Sequence, residues 1–164
     1  MPADPLQKYV RDHLAGSAVA VDLLEDLRED HPGEPLADLA AQLLSEILED
    51  RATLQALEDR LGGSSSALHE VAAWAGSKVS QVKLGRSAAG DFGDFQALEV
   101  LALGIQGKLA LWRALATFAE HDRRLQSVDY QRLEERAEAQ YRSVEAQRLA
   151  LARSALLPDG DRVR

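Results

Sequence analysis

Apolar residues recur through most of this chain at alternating spacings of four and three, the signature of helices that bury one face. The first stripe runs Leu6, Val10, His13, Ser17, Ala20, Leu24 and Leu27. The second runs Leu36, Ala40, Leu43, Ile47, Asp50, Leu54, Leu57 and Leu61. On the first stripe Leu14 competes with His13 for the inward place, in a set with Val10, Ser17, Val21 and Leu24. Each stripe is apolar except near one level, where His13 and Asp50 fall. A hairpin turning at His31-Pro32-Gly33-Glu34-Pro35 sets residue i opposite roughly residue 65 − i, because both helices rise equally. His13 is thereby predicted to face the region of Asp50, and titratable groups on a core-facing seam need partners.

Punctuating residues divide the chain. Asp4-Pro5 predicts an N-cap with proline in the first turn, opening a helix over 5–30, and Glu34-Pro35 opens a second over 35–62. Ser64-Ser65-Ser66 offers caps for a shorter helix over 66–82 that carries Leu68, Val71, Trp74 and Val79. The glycine-rich stretch 85–93 reads as a loop. Asp91 or Asp94 then caps a helix over 94–121 whose inward face is Leu98, Leu101, Ile105, Leu109, Trp112 and Leu115, with Lys108 competing for the place of Leu109. Ser127 or Asp129 caps a last helix over 128–156, with Tyr130, Leu133, Ala137, Gln140, Val144 and Gln147 inward. Residues 1–157 are predicted to form one helical-bundle domain and 158–164 a flexible tail.

Composition agrees with this all-α pattern, being rich in alanine, leucine, glutamate and arginine and poor in aromatics. A chain of 164 residues suffices for one well-buried domain. It has no cysteine, which excludes disulfides, thiolate catalysis and zinc sites of the cysteine type. The opening Met-Pro-Ala-Asp-Pro lacks the basic and apolar regions of a signal peptide, and no stretch approaches the ~20 apolar residues of a membrane span. A soluble, cytoplasmic protein that does not meet a membrane is the expectation. The net charge of −8 repels a phosphate backbone and argues against a nucleic-acid partner. Lys78, Lys83 and Arg86 form a candidate anion patch, without the glycine pattern of a phosphate loop.

Two helical hairpins joined by a long connection indicate a four-helix bundle. A crossover helix of about 18 residues is roughly 27 Å long, enough to return the chain to the top, so that the next helix runs parallel to the second. This up-down-down-up order, with its additional crossover helix, resembles the ferritin-like bundles. An up-down-up-down bundle with a decorated loop has the same apolar pattern. The resemblance is one of architecture, because ferritin-like di-iron proteins also use paired Glu-x-x-His motifs. Here the residues three before His13, His31, His69 and His121 are Val10, Arg28, Ser66 and Phe118. No metal or cofactor is therefore predicted, and Glu46, Glu49, Glu134, Glu135 and Glu138 suit solvated faces.

Counted from the common lower end, His13, Asp50, Lys108 and Gln140 stand at similar heights, a polar layer inside an apolar bundle. Such a layer fixes register and topology, or it builds a ligand site. Gly16, Gly104 and Gly107 each cost up to about 1 kcal/mol of helix propensity, which close helix approach is expected to offset, with a subunit interface as the second account. Trp74 and Trp112 read as core or interface anchors. The expected function is that of a non-catalytic ferritin-like bundle acting through protein association, as a homodimer or with a protein partner. The alternative is a metal- or small-ligand-binding bundle with a polar core site around His13 and Asp50.

Overall fold

The computed structural model describes residues 4–62 and 90–157. Among these the chain forms four α-helices and no strand: α1 (Pro5–Asp30), α2 (Pro35–Arg60), α3 (Asp91–Ala119) and α4 (Tyr130–Leu156), with a short 3₁₀ turn at Arg123–Leu125. The predicted helix over 66–82, the glycine loop as far as residue 89 and the tail 158–164 lie outside the described residues. No described helix is long and apolar enough to cross a membrane.

The ends of the helices follow from their residues. Asp4 accepts a hydrogen bond from the Leu6 amide at 3.0 Å, satisfying one of the orphan donors of α1, while Pro5 occupies the first turn where no amide hydrogen is needed. Gly33 ends the first hairpin turn at φ 80°, a conformation that costs other residues. Asp129 caps α4 by accepting from the Arg132 amide at 3.0 Å. The start of α3 differs from expectation, because Gly90 at φ 86° is the N-cap and the helix begins at Asp91. Asp91 and Asp94 stand in its first turn instead, where their charges favour the positive end of the helix dipole.

α1 packs along α2, and α3 along α4, with both hairpins sharing one hydrophobic core. All eight positions of the α2 stripe are buried, as are Val10, Leu24 and Leu27 of α1 and Leu98, Leu101 and Trp112 of α3. A fully buried leucine of this kind stabilises by about 1.5–3 kcal/mol relative to an exposed one. Leu14 takes the inward place on α1, at 2 % exposure, and leaves His13 at the edge.

Side-chain contacts set the helix directions. At one end of the bundle His31, after α1, meets Asp94, at the start of α3, with Nε2 to Oδ2 at 3.0 Å. At the other end Asp4 meets Arg124 at 3.4 Å, and an Arg60 Nη1 donates to the Gln126 carbonyl at 3.3 Å. α1 and α3 therefore run in opposite directions.

Candidate functional site

The polar layer is built from residues one helical turn apart on facing helices. Glu46 and Asp50 are at i and i+4 on α2, and Arg136 and Gln140 are at i and i+4 on α4, so each pair shares one face. With the two helices antiparallel, Glu46 meets Gln140 and Asp50 meets Arg136. Asp50 is 2 % exposed, and an ionised carboxylate there needs full compensation for its lost hydration. It receives this on both oxygens: Oδ2 from the Lys108 ammonium of α3 at 2.5 Å, and Oδ1 from the Arg136 guanidinium. The same ammonium donates to Gln140 Oε1, whose amide nitrogen donates onward to Glu46 Oε2 at 2.9 Å. Arg136 also donates to Glu49 Oε2 at 2.7 Å.

Burial shapes the titration of this layer. It draws the Lys108 ammonium below the ordinary lysine range, with Asp50 opposing that fall. Around Arg136 burial also works against the charge, but Asp50 and Glu49 outweigh it and raise the pKa. With both oxygens of Asp50 engaged and Lys108 bonded twice, the layer acts as a three-helix clasp that holds α2, α3 and α4 in register.

On the α1 side of this clasp lies a cleft of about 290 Å³ between α1, α2 and α3. Arg51, next in sequence to Asp50, turns towards α1, and its Nη1 donates to the Ser17 hydroxyl at 2.9 Å. That hydroxyl donates in turn to the Leu14 carbonyl at 2.6 Å. Burial lowers the Arg51 pKa, with Asp22 partly opposing it. The walls include Ile47, Leu54, Ile105, Leu111 and Trp112. The indole Nε1 of Trp112 is buried and has no hydrogen-bond partner among the described residues.

Gly16, Gly104 and Gly107 also line the cleft, and a Cβ placed on any of them meets nothing within 4 Å among the described residues. This corrects the expectation that these glycines permit close helix approach. Among the described residues they border open space in the cleft.

The sequence-predicted residues divide accordingly. Asp50, Lys108 and Gln140 are joined by direct hydrogen bonds. His13 lines the cleft with Asp50 and Lys108, but the carboxylate's bonds go to Lys108 and Arg136 rather than to His13. The physical reason is side-chain lean. Each helical side chain tilts towards its own N-terminus, so partners at one level of an antiparallel pair diverge. His13 packs edge-to-face on Tyr9 instead, with ring centroids 4.8 Å apart. Lys78, Lys83 and Arg86 lie outside the described residues. No group of three or more histidine and acidic side chains suited to a metal ion occurs among the described residues.

Arg136, Glu46, Glu49 and Arg51 were not legible as site residues from apolar periodicity, since each flanks a stripe. The available signal was the complementary i, i+4 pairing of acids on α2 with Arg136 and Gln140 on α4. Comparison with protein-family models, curated proteins and solved structures finds no match to this chain.

His13 and His31 should titrate on opposite sides of the ordinary value of 6.5. Burial lowers His13, with Asp12 partly opposing it. At His31 burial also lowers the pKa, but Asp94 and Glu34 outweigh it and raise the net value. His31 therefore contributes stability that is complete below about 6.5 and lost as pH rises through its higher folded value. His13 acts oppositely, withdrawing stability as pH falls from about 6.5 through its lower folded value. Imidazole NMR titrations, assigned with His13→Asn and His31→Asn, should resolve the two midpoints in that order. Coincident midpoints near 6.5 would contradict both environments.

Proposed function

We propose that this protein is a small-ligand-binding helical bundle, with the cleft between α1, α2 and α3 as its site. The observation that carries the reading is the set of three glycines that, among the described residues, face open space on one side of the polar clasp. Glycine inside a helix costs about 1 kcal/mol relative to alanine, and here that cost is met by no close packing but leaves a concave, mostly apolar space with a few polar groups, the usual form of a ligand pocket. The role assigned is binding without chemistry, since Asp50 and Lys108 are engaged with each other. We also propose the ferritin-like up-down-down-up order for the helices. Its support is the run of contacts that sets α1 against α3 head to tail and puts the ends of α2 and α3, at Arg60 and Gln126, together.

The test is a calorimetric titration of the full chain with eight-carbon probes bearing neutral, anionic and cationic heads. At least one should bind saturably at 1:1, and the double substitution Gly104→Leu with Gly107→Leu should abolish that binding while leaving the melting temperature equal or higher, because leucine favours helix. Absence of binding by every probe, or binding that survives the filled cleft, would overturn the reading.

A second reading, association with a second copy or another protein, has its own support in Leu103, Leu149 and Leu156, which are 68 %, 57 % and 60 % exposed on α3 and α4. Small-angle scattering across a concentration series gives the mass that decides it.

A further inference from the structure

The polar groups of the cleft select the head of the ligand, an inference that rests on the binding role just proposed. Four arginines are partly buried among the described residues: Arg11, Arg51, Arg136 and Arg148. Arg11 pairs with Glu58, Arg136 with Asp50 and Glu49, and Arg148 with Glu145 and Glu99. Arg51 alone of the four has no carboxylate within 4 Å among the described residues, its bond going to the neutral Ser17 hydroxyl. A guanidinium taken partly out of water without a carboxylate in direct contact is unusual; Asp22 acts on Arg51 only from beyond ion-pair distance, and the guanidinium lines a cleft.

The neighbouring charges do not fill that role. Asp50 is held by Lys108 and Arg136, and Asp12 pairs with Lys8 at 2.5 Å. Two of the three Lys108 ammonium hydrogens go to Asp50 and Gln140, and its charge faces Asp50. What remains on the cleft wall is the Arg51 guanidinium, with Nη1 on the Ser17 hydroxyl. A planar carboxylate matches a guanidinium edge with two parallel hydrogen bonds. The apolar walls at Ile47, Leu54 and Ile105 demand a body without further charge. Size follows from comparison with an apolar cavity of about 150 Å³, which takes up benzene. A cleft of about 290 Å³ suits roughly ten to twelve heavy atoms.

From this we infer that the cleft binds an apolar monocarboxylate of about eight carbons, its carboxylate on Arg51 and its body against Ile47, Leu54 and Ile105. Octanoate, 1-octanol and octylamine share a chain and differ in the head, so the wild-type protein alone tests the inference. Octanoate should bind about tenfold more tightly than octanol, and octylamine more weakly than either. Arg51→Gln should remove the preference, bringing the affinity for octanoate to that for octanol measured on the same variant. If octanol binds as tightly as octanoate, and both are lost on filling the glycines, the carboxylate inference falls while the ligand-binding reading stands. An unchanged octanoate affinity in Arg51→Gln, or a preference for octylamine, also overturns the inference. If no probe binds, both fall together.

Discussion

Asp50→Ala is expected to destabilise the bundle by about 3 kcal/mol, near the lower end of what removing one partner of a buried ion pair costs. The loss comes less from the carboxylate's own bonds than from what it leaves behind. Lys108 and Arg136 would face a site with their central counter-charge gone, Lys108 retaining only Gln140 and Arg136 only Glu49. Those surviving partners keep the figure from rising further. Against a typical total of about 5–15 kcal/mol for a domain, the fraction unfolded rises by roughly two orders of magnitude. Lys108→Met in the Asp50→Ala background removes the stranded ammonium and should recover part of the loss. Urea melts of the two single variants and the double give the coupling directly. Additive losses would show that Lys108 and Asp50 do not depend on each other and that the clasp is not what holds the layer.

How far the sequence foretold this arrangement depends on the helix. On α2 the stripe from Leu36 to Leu61 is unbroken, and every position in it is buried, Asp50 included. On α3 Lys108 and Leu109 were rivals for one inward place, yet Leu109 is 6 % exposed and Lys108 reaches the layer as well. A helix that touches two neighbours buries more than a single stripe, so adjacent positions can both point inward. His13 and Asp50 line one cleft without a direct hydrogen bond between them among the described residues, for a different reason. Equal rise along the hairpin fixes the level of the Cα atoms, whereas the side chains lean apart. The cleft was legible only through its glycines, and these suggested closeness where there is space. The width of a gap among three helices depends on their mutual separation, which the periodicity of no one helix encodes.

Trp112→Ala should bring the other large loss, about 3–5 kcal/mol, as expected for deleting a fully buried indole. The ring is 0 % exposed and packs at 6.4 Å from the Tyr130 ring, whose hydroxyl donates to the Leu125 carbonyl at 2.9 Å. Burial raises that phenol to about 12, so it stays a donor throughout the neutral range. Removing the indole therefore deprives α3 of its packing on the start of α4, where Tyr130 ties the helix to the preceding turn. Trp112→Phe separates the contributions. It loses volume but also removes an indole nitrogen that is buried without a partner, a burden of about 1–3 kcal/mol. The two effects oppose, and the phenylalanine variant should melt close to the wild type while the alanine variant does not. A loss below about 1 kcal/mol in Trp112→Ala would show that the indole is not an anchor of this core. If phenylalanine proves as damaging as alanine, the Nε1 hydrogen has a partner in solution and the burden assigned to it is absent.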